Sequence, residues 1–304
     1  MTLFLLGDLI CTCILLRTFY AATKINNIKN ILREKVKMQY SNWNPGGFEI
    51  IDAHVHPVNP PGQDMSMFED KLTPEKFVSE LKRVGISRCA GSVIAQIKEG
   101  DDAAQKIEQL NNANLAFYQE FPDFYIPSVQ VHPFAVETSL RAMEKAFKEQ
   151  GVRLIGELVA YMMNYDDYNI PALDPVWELA QELGMTVSLH KNCTEEVRIL
   201  LKRFPRLHLI LAHPSMTPSE YDARLDTVKA YPYAALDISG SGPNMWGMLR
   251  HGIRRAGKEK LIFATDFPLR NPGMYVAGVY AEHLADDELE AIFAKNFKQL
   301  LNIQ

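Results

Sequence analysis

From Phe48 to the C-terminus the chain alternates short apolar runs with amphipathic stretches, and no other feature constrains its fold as tightly. The apolar runs Phe48–Ala53, Ser87–Ile94, Tyr125–Val131, Arg153–Leu158, Thr186–Leu189, Leu207–Ala212, Ala234–Ile238 and Leu261–Thr265 predict strands. Most are apolar along much of their length rather than on every second residue, as parallel strands buried on both faces are. Between them the spacing predicts helices over Pro74–Val84, Ala103–Glu120, Val136–Glu149, Asp174–Gly184, Thr194–Phe204 and Pro218–Ala230, with a closing amphipathic helix over Asp286–Leu301. Punctuation supports these bounds. Thr73 can cap the first helix, Pro74 takes its first position, Glu75 lies in its first turn and Gly85 stops it. Strand and helix alternating in this way predict one (β/α)8 barrel of the TIM type. An open doubly wound sheet would want a glycine-rich phosphate loop after its first strand. That place holds Asp52-Ala53-His54-Val55-His56-Pro57 instead.

Composition narrows the partners. A chain of 304 residues, 47% hydrophobic and 23% charged, can bury a large core without disulfide staples. A net charge of −5 offers no basic surface that demands nucleic acid or an anionic membrane as an obligatory partner, so a small-molecule substrate is expected. Cys11, Cys13, Cys89 and Cys193 show no C-x-x-C spacing, and a reducing, cytoplasmic compartment is expected. Cys193 follows His190 closely and could be a soft ligand, but a packed cysteine is the preferred reading.

The N-terminus departs from this pattern. Leu3–Leu6 and Leu9–Leu16 are largely apolar, yet Asp8 interrupts them and Arg17 ends them. That is short of the roughly 20 apolar residues a span needs, and no positive side chain precedes it as in a secretory signal. A surface anchor, a helix packed on the barrel and an extension outside the working protein all remain open. Residues 1–47 are read as a dispensable extension before a catalytic barrel over 48–304, because a chain beginning at Met38 would keep the whole barrel. A native chain that begins at Met1 by mass spectrometry would overturn that reading.

The chemistry-bearing side chains fall at strand ends. His54 and His56 end the first strand, Glu157 the fourth, His190 the fifth, His213 the sixth and Asp266 the eighth. In a barrel these ends converge on one face, where such enzymes keep their active sites. Two histidines at i and i+2 point the same way and can grip one ion together. A third imidazole and a carboxylate complete a mixed nitrogen and oxygen site, most naturally for zinc, with manganese as the alternative. An H-x-H alone is weak. Of the 8 histidines, however, His54, His56, His132, His190 and His213 all sit at predicted strand ends, which chance would scatter.

The motifs Ile51-Asp52-Ala53-His54-Val55-His56-Pro57, Gly156-Glu157, Ser188-Leu189-His190, Leu211-Ala212-His213-Pro214, Leu236-Asp237-Ile238-Ser239 and Phe263-Ala264-Thr265-Asp266-Phe267-Pro268 resemble the ordered motifs of the amidohydrolase superfamily. The likeness is to its amidohydrolase-related branch, which also contains decarboxylases. Ile292-Phe293-Ala294-Lys295-Asn296-Phe297-Lys298-Gln299-Leu300-Leu301 resembles that branch's closing helix. The resemblance implies His54, His56 and His190 as metal ligands and Asp266 as a metal contact and proton acceptor. It implies His213 as a second-metal ligand or as a group that protonates substrate. Many relatives carry a carboxylated lysine on the fourth strand; Glu157 stands here instead, resembling the glutamate of other branches, so one or two ions are expected. The resemblance also admits a homodimer.

Other residues carry two readings each. Lys191 could hold a substrate carboxylate or be solvated, and His132 could touch substrate or cap the next helix. Asp237, followed by Ser239 and Gly240, could orient a ligand histidine or cap a helix; Arg270 and Trp246 could shape the pocket. Tyr161, Met162, Met163 and Tyr165 read as an apolar lid or as plain packing. Hydrolysis of an amide, ester, lactone or related bond by metal-activated water is the leading expectation. Non-oxidative decarboxylation of a small carboxylic acid, aromatic acids among them, is the alternative, with Arg270 or Lys191 as cationic clamp. A non-catalytic binding barrel is the third. A serine hydrolase is disfavoured, because no G-x-S-x-G elbow occurs.

Overall fold

A computed structural model describes residues 44–57, 68, 72–190 and 194–304. Eight strands are present: β1 Ile51–Val55, β2 Arg88–Gly91, β3 Tyr125–Val129, β4 Leu154–Leu158, β5 Thr186–Leu189, β6 His208–Leu211, β7 Ala234–Asp237 and β8 Leu261–Ile262. They pair in parallel in the order β1 to β8. Backbone bonds close the circle: Ala53 N–H to Phe263 O at 3.0 Å, Asp266 N–H to His54 O at 2.9 Å and His56 N–H to Phe267 O at 2.8 Å. The expected (β/α)8 barrel is therefore the observed fold.

The helices are α1 Pro74–Arg83, α2 Ala103–Glu120, α3 Val136–Gln150, α4 Asp174–Leu183, α5 Thr194–Arg203, α6 Pro218–Ala230, α7 Met248–Ala256 and α8 Pro272–Ala281. The Thr73 side chain accepts from Lys76 N at the start of α1, and Asp102 and Thr217 do the same for α2 and α6. Sequence reading did not single out α7 and α8. The first is short, 9 residues between Gly247 and Gly257, although its buried Met248, Leu249 and Gly252 share one face. The second, Pro-Gly-Met-Tyr-Val-Ala-Gly-Val-Tyr-Ala, is apolar all round and shows no stripe.

Two expected elements differ in detail. The eighth strand ends at Ile262, because the Phe263 N–H is taken by the Ile292 carbonyl (2.8 Å) rather than by a neighbouring strand. The expected single C-terminal helix is three pieces: α9 Asp286–Glu290, a π turn Ala291–Lys295 and α10 Asn296–Leu301. The Asn296 amide donates to the carbonyls of Lys258 and Leu261, tying this break to the start of β8. α10 then crosses the floor of the barrel. Its Leu300 carbonyl accepts from Thr186 Oγ1 at 3.1 Å and from His208 Nδ1 at 2.9 Å, both at strand starts. Phe297 and Leu301 join the interior core of Ile51, Ala90, Ile126, Leu154, Ile210 and Ala235. With one mouth plugged, the other is left for chemistry.

Asn44 is joined to this body through Phe48 O and the Tyr280 hydroxyl. The apolar stretches before Arg17, and Met38, lie outside the described residues. Among the described residues no helix is long and apolar enough to cross a membrane.

Candidate active site

Simple alternation along the strands does not by itself bring the right side chains to the open mouth; two irregularities do. Ile51 and Ala53 belong to the barrel interior, so strict alternation would turn His54 and His56 away from it. The register of β1 on β2 shifts between Asp52 and Val55, and both imidazoles face inward. A one-residue slip has that effect, because it moves every later side chain to the other face. β4 repeats the device. Its register on β5 shifts between Ile155 and Leu158, and Glu157 joins the interior side that Leu154 occupies below it. Gly156 makes this possible: φ is +83°, and a Cβ would sit 2.6 Å from the Ser188 carbonyl. His190 needs no such device, being in phase with Thr186 and Ser188.

His213 and Asp266 follow β6 and β8 in left-handed backbone, at φ 67° and φ 68°. Non-glycine residues rarely adopt that region, and such positions concentrate at functional sites. Buried Arg224 of α6 holds the first corner, donating to the carbonyls of Ala212 (2.9 Å) and His213 (2.8 Å). The second is held by the bond from Asp266 N–H to His54 O.

The hydrogen bonds fix the imidazole tautomers. His54 Nδ1 lies 2.9 Å from Asp237 Oδ2, and a carboxylate only accepts, so this nitrogen carries hydrogen. His56 Nδ1 faces the Ser92 carbonyl at 3.2 Å and must donate as well. In the neutral rings the two Nε2 atoms are therefore the lone-pair ends, and they face each other at 3.3 Å. Glu157 Oε2 stands 3.2 Å from the first and 3.5 Å from the second; Asp266 Oδ1 stands 3.9 and 3.3 Å away. Lone pairs and carboxylates crowded this closely need a positive charge among them. The donor set thus fits a divalent cation, with both ligand imidazoles oriented by their far nitrogens.

The other Glu157 oxygen serves a second group. Oε1 lies 3.1 Å from His190 Nδ1 and 3.6 Å from His213 Nε2, and those two nitrogens are 3.0 Å apart. Ser239 Oγ gives its hydrogen to Asp237 (2.5 Å) and so accepts from His213 Nδ1 (2.9 Å), leaving His213 Nε2 bare. Glu157 is shared between two clusters that could each hold an ion: His54, His56 and Glu157, and Glu157, His190 and His213. The grouping of His54, His213 and Asp237 is of another kind. Both Asp237 oxygens are already engaged, Oδ2 by His54 and Oδ1 by Ser239 and the His213 N–H. Asp237 therefore orients imidazoles, with Oδ2 turned to the His54 Nδ1–H and Oδ1 taken by three donors.

Charge follows the same geometry. Burial would lower the His54 pKa, but Glu157 and Asp237 outweigh it and raise it well above the ordinary value, so that without a cation a proton takes the place at Nε2 that an ion would fill. Burial would likewise raise Glu157 and Asp237; the facing histidines hold Glu157 well below the carboxylate range and Asp237 at about 2. Both are carboxylates at neutral pH, in a field that draws cations. Burial keeps His213 below its usual value, hence neutral.

The sequence-predicted residues sort as follows. His54, His56, Glu157, His190, His213 and Asp266 all meet at the open mouth. His190, expected beside His54 and His56, faces Glu157 and His213 instead, since its Nδ1 is turned to them. His132 takes its structural reading: Nδ1 accepts from Phe134 N and Nε2 donates to Met163 O, so the fully buried ring joins two loops and has no free nitrogen. Met163 and Tyr165 are packing, while Tyr161 is 67% exposed and stands edge-on to His190. Trp246 is exposed beneath the Arg250 guanidinium, and Arg270 follows the Asp266 corner, its N–H bonded to the Asp266 carbonyl. Lys191 and Cys193 lie outside the described residues.

Several supporting residues carried no signal in the sequence. Gln130 donates from Nε2 to the Glu157 carbonyl at 2.8 Å. The Tyr168 hydroxyl reaches the carbonyls of Leu158 and His190 at 2.6 and 3.0 Å, joining the ends of β4 and β5. Asp52, inside the first motif, takes the Thr265 hydroxyl and N–H and the His54 N–H. Each acts at least in part through backbone atoms, which residue type does not reveal.

Gly240 sits under the His213 ring, and a Cβ there would lie 2.3 Å from Nδ1. We expect Gly240→Ala to push the imidazole off Ser239 and to lower turnover by about 10–100-fold, the range for a misplaced reacting group, with the fold intact by circular dichroism. Wild-type kinetics in that variant would show that His213 has room to move.

Comparison with known proteins agrees with this arrangement. Residues 51–303 match the amidohydrolase family, and the chain belongs to it. No curated protein sequence matches the chain. Among solved structures, a 2,6-dihydroxybenzoate decarboxylase from Rhizobium superposes with a TM-score of 0.64 at 16% identity, covering 84% of this chain and 99% of that one. A 5-carboxyvanillate decarboxylase from Novosphingobium aromaticivorans, bound to manganese and 4-hydroxy-3-methoxy-5-nitrobenzoic acid, gives 0.67 at 12% identity, covering 87% and 99%. A dihydroxybenzoic acid decarboxylase from Polaromonas, bound to manganese and the inhibitor 2-nitroresorcinol, gives 0.62 at 18% identity, covering 84% and 97%. At these identities the likeness establishes the fold.

Proposed function

We propose that the protein is a metal-dependent, non-oxidative decarboxylase of a small carboxylic acid. The observation that carries this is the convergence of the bare Nε2 atoms of His54 and His56 on Glu157 and Asp266. That cation site lies in a barrel whose solved neighbours include manganese-bound decarboxylases. His54, His56, Glu157 and Asp266 are the proposed ligands of a first ion, manganese or zinc. His190, on the other Glu157 oxygen, completes that shell or, together with His213, holds a second ion. A bound divalent ion supplies positive charge for the substrate's anionic oxygens and for the electron pair left when CO2 departs.

The chain's own groups do the rest. The bond from the carboxylate carbon to its neighbour breaks, and the electron pair stays on that neighbour. Asp266, beside His56 at the mouth, takes up a proton from water and delivers it to the carbon that loses CO2. With a single ion bound, His213 Nε2 is left bare and neutral and accepts a hydrogen bond from an acidic hydrogen of the substrate. Arg270, exposed beside the Asp266 corner, is the proposed clamp for a second anionic oxygen. Residues 48–304 are the proposed catalytic domain, residues 1–47 a dispensable extension.

Hydrolysis is the competing reading, favoured by the placement of Asp266 where an acceptor for a proton of water belongs. Turnover of 2,6-dihydroxybenzoate by manganese-loaded protein in doubly labelled water separates the two. Decarboxylation releases CO2 and places deuterium on carbon without labelled oxygen in the organic product. Labelled oxygen in the product of an ester or amide tested beside it makes the protein a hydrolase. Metal analysis of wild type beside His190→Ala counts the ions: a fall from two to one assigns His190 to a second site.

A further inference from the structure

Tyr161 takes no part in the cation cluster, yet it stands against it. It is the middle residue of the single 3-10 turn Ala160–Met162 that follows β4, four residues after Glu157. The turn is pinned on both sides: Ala160 N–H donates to the Tyr168 hydroxyl at 3.1 Å, and the Met162 carbonyl accepts from Ile97 N–H at 2.8 Å. Its apolar neighbours Met163 and Tyr165 turn into the protein and are buried. Tyr161 does the opposite. Its ring packs edge-on against His190, with centroids 5.4 Å apart and planes at 75°, and the remainder stays open. Among the described residues its hydroxyl has no hydrogen-bond partner. A large aromatic held on a fixed turn beside the reacting groups, with an idle donor at its tip, is prepared to be covered by something.

We propose that Tyr161 is the residue that selects an aromatic acid: its ring forms the wall on which the substrate ring rests, and its hydroxyl donates to an anionic substrate oxygen. This rests on the decarboxylase reading and adds a contact to it. A phenol keeps its hydrogen throughout the neutral range, so the hydroxyl can donate.

The test uses 2-nitroresorcinol, the inhibitor held by the Polaromonas enzyme, titrated into manganese-loaded wild type, Tyr161→Phe and Tyr161→Ala, with metal content measured in each. Equal metal in all three is expected. Loss of the hydroxyl should weaken binding about tenfold, as for a hydrogen bond to a charged group; loss of the ring as well should weaken it about a hundredfold. Unchanged binding in Tyr161→Ala overturns this assignment alone and leaves the decarboxylase reading standing. Manganese lost from Tyr161→Ala also overturns it, since the ring would then serve only to prop His190. Metal-loaded wild type that ignores the probe defeats the aromatic-acid reading and the assignment together.

Discussion

Replacement of His54 by alanine is expected to empty the proposed metal centre, abolish turnover and destabilise the protein at once. His54 is the only imidazole in the cluster that touches three carboxylates, with Asp237 on Nδ1 and Glu157 and Asp266 near Nε2. Its removal leaves Asp237 and Glu157 buried without the positive partner that holds both ionised. Breaking one side of a buried ion pair costs about 3–5 kcal/mol, and that loss should appear in denaturant unfolding of metal-free wild type and variant. Metal analysis should find little ion in the variant. A His54→Ala protein that retains full metal and unchanged stability would place the ion elsewhere. An unchanged turnover beside it would place the catalytic groups elsewhere as well.

Asp266→Asn is expected to separate chemistry from binding. Asparagine tolerates the left-handed backbone that position 266 requires, so the corner and its bond to His54 survive. It keeps an oxygen that can face the ion but cannot carry the proton. Turnover should fall by about 10²–10⁴-fold, the usual share of a positioned acid or base, while metal content and melting temperature stay close to wild type. Stopped-flow or steady-state kinetics read the first and metal analysis the second. Retained turnover would move the proton transfer to His213, whose bare Nε2 is the next group at the mouth.

The site shows why some of it was legible in advance. Strand ends of a parallel barrel must converge, so His54, His56, Glu157, His190, His213 and Asp266 could be gathered from eight apolar runs alone. Their partition could not. Which nitrogen of His190 faces Glu157 depends on a χ angle, and the sharing of Glu157 between two imidazole pairs depends on the register shift of β4. His132 shows the converse. Its position at a strand end suits a substrate contact, but two neighbouring backbone groups consume both ring nitrogens.

What the sequence by itself determined is the barrel, the mouth that carries the chemistry and the donor types collected there, because periodicity and strand-end placement are local properties. Only the tertiary structure decided the rest. It set the slips that turn His54, His56 and Glu157 inward and the saturation of Asp237, which makes it an orienting group. It also set the Arg224 and Tyr168 bonds to backbone carbonyls and the outward stance of Tyr161 beside buried Met163 and Tyr165. Each of these depends on atoms far apart in the chain meeting at hydrogen-bond distance, and no residue pattern encodes that distance.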